Sequence, residues 1–156
     1  MAAAHRVLCY LKAAPGQELF LPSSGSLTLT AYCDADWAGC QSTRRSMTGY
    51  YIQLGGAPVS WRAKKQRVVA RSSVEVEYRA MASATSEVLW LRFLLGELRV
   101  PQQAPTILYC DNQAALHIAA NPVFHERTKH VEMDCYFVRE HLQYAEIQPQ
   151  KIHTSS

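Results

Sequence analysis

A chain of 156 residues, 48% hydrophobic and 19% charged, has room for one ordinary domain with its own core and is too apolar to be a disordered tail. No run of about 18 apolar residues occurs, and the opening Met1-Ala2-Ala3-Ala4-His5-Arg6 does not lead into a signal-type apolar core, so membrane and secretory classes are set aside and an intracellular protein is expected. The net charge of +3 permits a polyanionic partner without requiring one, and five cysteines without a Cys-x-x-Cys pair read as free thiols in a reducing compartment, mostly small hydrophobes inside apolar runs.

Ala2 to Lys12 places Val7, Leu8 and Leu11 at helical spacing and stops at Ala14-Pro15-Gly16, which predicts a short N-terminal helix. Pro22 to Ser26 is loop-like, and Leu27 to Cys33 alternates with period two as a strand running into Asp34. Thr48 to Leu54 and Pro58 to Ala63 read as two further strands joined at Gly55-Gly56, a hairpin that completes a three-stranded meander. Ser72-Ser73 ahead of Glu75 and Glu77 marks the start of a helix that Tyr78, Met81, Ala82, Thr85, Val88, Leu91 and Leu95 carry on to about Arg99. Thr106 to Cys110 is a buried-type strand ending at Asp111-Asn112, Gln113 to Ala120 a short helix, and Val131 to Tyr144 an amphipathic helix with Val131, Cys135, Val138 and Leu142 on one face. Ile147 to Thr154 reads as a last strand, and Trp37 and Trp61 as core residues.

Two strands end in an aspartate, Asp34 and Asp111, and ligands of sheets with helical crossovers bind at strand carboxyl ends. A long helix starting at that edge brings Glu75 or Glu77 to the same place. Residues two apart on a helix lie about 200° apart, so only one is expected to face inward, and Tyr78 and Met81 behind it favour Glu77. An aspartate after a strand is more often a cap or turn residue. Three converging carboxylates instead repel one another and suit a hard cation such as Mg2+, as a phosphodiester hydrolase requires.

The segments Tyr32-Cys33-Asp34-Ala35-Asp36-Trp37-Ala38-Gly39, Arg44-Arg45-Ser46-Met47-Thr48-Gly49-Tyr50, Val59-Ser60-Trp61, Ser72-Ser73-Val74-Glu75-Val76-Glu77-Tyr78, Cys110-Asp111-Asn112-Gln113-Ala114-Ala115 and Arg127-Thr128-Lys129-His130-Val131-Glu132 together closely resemble the ribonuclease H domain of copia-type retrotransposon Pol polyproteins, especially those of plants. The resemblance runs in order over nearly the whole chain. It implies an α/β ribonuclease H-like fold, with a mixed five-stranded sheet flanked by helices, over residues 27–156. Residues 1–26 would be the connection from the reverse transcriptase side, and Met1 the start of a fragment or isolated reading frame. It further implies a metal-dependent endonuclease that hydrolyses the RNA strand of RNA·DNA hybrids during reverse transcription. Asp34, Glu77 and Asp111 are then the catalytic and metal-binding acids, of a two-ion Mg2+ site in which Mn2+ can substitute. The expected partners are the hybrid and the reverse transcriptase of the parent polyprotein, with no membrane, and the expected setting is a cytoplasmic virus-like particle.

The chain departs from that pattern at its end. The family carries a fourth carboxylate in an Ala-Asp pair opening a C-terminal helix after the last strand, and Ile152-His153-Thr154-Ser155-Ser156 stops before such a motif, so that helix is expected to be missing. Glu132 and Asp134 lie between the fourth and fifth strands and are not assigned to its place. The alternative is therefore a catalytically defective nucleic-acid-binding remnant of the same fold, and a protein-interaction module is a third possibility. Val74 and Val76 stand where smaller residues are usual, and Asp36 and Glu75 read as structural or solvated. Arg44, Arg45, Lys64 and Lys65, with Arg62 and Arg67 nearby, suit phosphate contacts to a hybrid, a solvated hairpin being the alternative; Asn112 at a helix start suits a phosphate or a cap. His125 and His130, five apart and without a cysteine pair, do not make a zinc motif, whereas His130 suits a capping or hybrid-facing role and His153 a proton-transfer role beside the acids.

Overall fold

The structure, a computed structural model, describes residues 2–13, 15–16, 18, 21–22, 25–113, 116 and 129–152, the last segment without the side chains of 129–131. Its elements are α1 (Ala2–Ala13), β1 (Leu29–Asp36), β2 (Met47–Leu54), β3 (Ala57–Lys65), α2 (Ser73–Glu97), β4 (Thr106–Cys110), α3 (Lys129–Gln143) and β5 (Ile147–Lys151). The five strands form one sheet in the order β3-β2-β1-β4-β5. β1 pairs antiparallel with β2 and β2 with β3, whereas β1 with β4 and β4 with β5 are parallel, so the sheet is mixed as the resemblance implied.

The hairpin between β2 and β3 turns on Gly55 and Gly56, whose φ values of 60° and 85° only glycine adopts without strain. A Cβ on Gly55 would also come within 2.5 Å of the Ser26 carbonyl oxygen. Pro58 and Pro149 fall in β3 and β5, the two edge strands, where a missing ladder donor is tolerated.

β1 alternates as its sequence requires: Leu29, Ala31 and Cys33 are buried against α2, while Tyr32 faces the other side. There, cross-strand register lines up Trp61, Tyr51, Tyr32 and Tyr109, with the Tyr32 and Tyr109 rings stacked at 5.1 Å. Trp61 at the end of that row is 61% exposed and Trp37 51%, so neither tryptophan is a core residue. Trp37 donates its indole N–H to the Ala70 carbonyl at 3.3 Å and ties the β1 end to the approach to α2.

α2 is capped by Ser72, whose hydroxyl accepts the Glu75 N–H at 3.2 Å. It lays Tyr78, Met81, Ala84, Val88, Leu91 and Leu95 onto Ile52, Ala31 and Leu108 of the sheet, and Cys135 and Val138 of α3 close the same core. Gln102 holds β1 where it starts, accepting the Leu29 N–H at 3.0 Å and donating to the Leu27 carbonyl at 2.8 Å. The short helix expected over 113–120 falls mostly outside the described residues. Its first turn is visible in the Leu116 N–H bonded to the Asn112 carbonyl. No helix among the described residues is long and apolar enough to cross a membrane.

Candidate active site

The parallel pairing of β1 with β4 sets Tyr32 beside Tyr109, so the strands leave the sheet side by side and Asp34 and Asp111 emerge at the same edge. Both line a cavity of about 530 Å³, together with Cys33, Tyr50, Arg62 and Ile152. Cys33 and Asp34 are consecutive on a strand, so Cys33 turns toward α2 and is buried while Asp34 turns away and is exposed.

α2 enters this edge from the buried side. Glu77, 6% exposed, meets the end of β4, with Cys110 Sγ donating to its Oε2 at 4.0 Å. Donor atoms of Glu77, Cys110 and Asp111 all lie within 4.8 Å of one another. Asp34 stands outside that tight group, yet its charge acts on Glu77 along with that of Asp111. Burial first, then Cys110, Asp111 and Asp34, push the Glu77 carboxyl up to about 8 from an ordinary 4.5.

Glu75 is buried as well, at 3%, against the expectation that only one of the two acids turns inward. The helical angle separates them as expected, but the side Glu75 faces is closed by its own partners. It accepts the Arg71 N–H at 2.8 Å and Arg79 Nη2 at 2.6 Å. Its role is structural, whereas burial, Cys110, Asp111 and Asp34 all raise the Glu77 pKa and, among the described residues, no cation is paired with it. Asp36 also serves the chain: a Cβ on Gly39 would lie 1.8 Å from its carboxylate oxygen, so the turn after β1 closes over that side chain.

Glu77 and Asp111 offer carboxylate oxygens within 4.8 Å of each other and could hold a divalent cation; Asp34 borders the same cavity as Asp111 but stands outside that group, and among the described residues no cation is paired with Glu77. Asp134, by contrast, is raised by burial and opposed by Arg79, which ties it to the α2–α3 side, and Glu132 is exposed.

The basic residues form a separate feature. A cleft of about 560 Å³ is lined by Arg62, Lys64, Lys65 and Arg67 from the hairpin and by Arg79 from α2, with Glu87 and Asp134 on its walls. Arg62 borders both cavities, so this cleft adjoins the acid edge. Lys65 also donates to Cys40 Sγ at 3.0 Å and holds that thiol down at about 5. Arg44 and Arg45 are exposed on the β1–β2 turn, where the Arg44 N–H bonds the Cys40 carbonyl at 2.7 Å and the Cys40 N–H bonds the Arg45 carbonyl at 3.2 Å. Asn112 is half-buried, directly after Asp111. His125 and His153 lie outside the described residues, and of His130 only the backbone, at the start of α3, is described.

Sequence reasoning treated Cys33 and Cys110 as small hydrophobes. The structure makes Cys110 a neighbour of the acids, while the Cys33 thiol donates to the Tyr109 carbonyl at 3.5 Å and is pushed well above its ordinary value by nearby Cys110 and by burial. The available signal was their identical position, each directly before one of the two candidate aspartates.

No family model matches the chain. It is 45% identical over 143 residues, 92% of its length, to the retrovirus-related Pol polyprotein from transposon RE1 of Arabidopsis thaliana. It is 36% identical over 149 residues, 96% of its length, to that from transposon TNT 1-94 of Nicotiana tabacum. The chain spans only 10% and 11% of these polyproteins. Among solved structures it is similar to LC11-RNase H1, isolated from compost, at TM-score 0.60 and 11% identity, covering 82% of this chain and 86% of that one. RNase H1 of Halobacterium salinarum NRC-1 aligns at TM-score 0.54 and 13% identity, covering 81% and 83%. LC11-RNase H1 has also been solved in complex with an RNA/DNA hybrid. Homology along nearly its whole length and a shared fold make this chain a member of the copia-type retrotransposon Pol family, folded as a ribonuclease H domain.

Proposed function

We propose that the chain hydrolyses the RNA strand of RNA·DNA hybrids with a divalent cation, Mg2+ first, held by Asp34, Glu77 and Asp111, in the service of a retrotransposon reverse transcriptase. The observation that carries this reading is geometric: Glu77 and Asp111 bring donor atoms within 4.8 Å of each other at the sheet edge, and Asp34 borders the same cavity as Asp111. Charges of one sign gathered at a solvent-open sheet edge destabilise the fold, and a bound cation gives them a use. Such a cation polarises the scissile phosphate and makes an attacking water more acidic.

The chain's own residues do the rest. Asp34 and Asp111 border the open cavity from two strands and orient whatever the site holds, while Glu77 anchors it from the buried side. Lys64, Lys65 and Arg62 along the adjoining cleft suit the phosphates of an incoming duplex, and the exposed Arg44 and Arg45 add positive charge on the neighbouring turn. The deciding experiment is cleavage of an end-labelled hybrid by the full chain as Mg2+ or Mn2+ is titrated. Metal-dependent cuts confined to the RNA strand support the enzyme; hybrid binding without cutting at any metal concentration supports the defective remnant instead.

A further inference from the structure

We propose that Glu77, Cys110 and Asp111 form a site for one thiophilic divalent cation of the Zn2+ or Cd2+ class. The donor atoms of the first three lie within 4.8 Å of one another, which two carboxylate oxygens and one sulfur reach without any change of backbone. Ligands around a tetrahedral zinc stand roughly 3.5 Å apart, given bonds of about 2.0 to 2.3 Å, so rotamer adjustments near 1 Å complete the site. Cys33 neighbours Cys110 across the β1–β4 pairing but stands outside this group, its Sγ donating to the Tyr109 carbonyl at 3.5 Å.

The chemistry of the surroundings separates this from ordinary packing. A cysteine that merely fills a core touches apolar groups, whereas Cys110 Sγ, fully buried, is directed at the Glu77 carboxylate. One sulfur and two carboxylates make a mixed soft and hard set, the kind Zn2+ takes in preference to Mg2+, which avoids sulfur. Asp111 is exposed and lines the open cavity, giving the ion a way in. On binding, the S–H bond of Cys110 breaks, a sulfur–metal bond forms and the proton passes to solvent; no electrons are transferred. Because Glu77 and Asp111 also belong to the proposed hydrolytic site, the soft ion excludes the hard one, and this inhibitory consequence alone rests on the proposed function.

The test uses the full chain under a non-thiol reductant, in a Cys9→Ser/Cys40→Ser background that removes the two thiols outside the core. Cd2+ is titrated while the thiolate-to-cadmium ultraviolet band is followed. The expected result is one Cd2+ per chain, with Cys110→Ser abolishing most of the band and weakening binding at least about tenfold. Asp111→Asn keeps the band but weakens binding, and serves as the second variant should Cys110→Ser fail to fold. A missing band in the background protein, an undiminished band in folded Cys110→Ser, or unchanged affinity in Asp111→Asn overturns the proposal. In parallel, Zn2+ added to a hybrid-cleavage reaction is expected to inhibit the background protein more strongly than its folded Cys110→Ser variant. Absence of cleavage under every condition would count against the enzyme reading while leaving the cadmium result to judge the soft-metal site.

Discussion

Arg79 Nη2 lies 2.6 Å from Glu75 Oε1, one helical turn away on α2, and among the described residues no such partner faces Glu77 two residues after Glu75. Neighbouring acids on one helix therefore have opposite energetic signs: Glu75 is neutralised and hydrogen-bonded, whereas Glu77 is held against burial and like charge. Substituting each by glutamine separates the roles. Glu75→Gln loses an ion pair that also holds the Arg71 N–H and is expected to lower stability by about 1–3 kcal/mol, with cleavage largely retained. Glu77→Gln is expected to leave metal-free stability unchanged or raised while cleavage falls by about two orders of magnitude or more. Urea unfolding and a hybrid-cleavage assay on both variants check the pair.

Asp111→Asn removes one of the mutually repelling charges, so the metal-free chain is expected to fold at least as well as the parent. Hydrolysis is expected to drop by about two orders of magnitude or more if Asp111 is a metal ligand. Full activity in this variant, or its failure to fold, contradicts the assignment.

The displaced carboxyl of Glu77 sets a pH dependence. Its folded value of about 8 stands above the ordinary 4.5, so between these the folded state binds more protons than the unfolded chain. Stability of the metal-free protein from this group is therefore greatest below about pH 4.5 and declines as pH rises toward 8, levelling off above it. Unfolding midpoints measured in a chelator from pH 5 to 8.5 are expected to fall less steeply in Glu77→Gln than in the parent, and Mg2+ is expected to restore most of the loss at the alkaline end.

The Lys64→Ala/Lys65→Ala variant tests the basic cleft. If both lysines meet phosphates, hybrid affinity falls for every sequence, and the slope of log affinity against log salt becomes shallower by about 1 to 2. Unchanged salt dependence assigns the hairpin charges to solvation.

Ile52, on β2 beside the central strand, has no exposed surface and packs in the cluster that includes Tyr78 and Met81. Ile52→Ala is expected to cost about 2–5 kcal/mol in denaturant unfolding, because a rigid sheet cannot collapse into the space left behind.

Much of this architecture is local in origin and was legible in the residues. Period-two alternation marks β1 from Leu29 to Cys33, Gly55-Gly56 marks the hairpin, Ser72 ahead of Glu75 marks the α2 start, and Cys110-Asp111 marks the end of β4, whereas β1 runs two residues past Asp34 in its pairing with β2. Each depends on backbone preference or on a pattern only a few residues long, so the sequence by itself determined the elements and the candidate acids. Tertiary structure alone decided their meaning. That Glu75 is neutralised while Glu77 faces other acids follows from Arg79 and the end of β4 lying on different sides of α2. That Cys110 is a neighbour of carboxylates, and Trp61 the exposed end of an aromatic row instead of core, follows from strand order and register. Both are set by long-range pairing, where β1 meets β4 across more than seventy residues, and no local pattern encodes which side chains such pairing brings together.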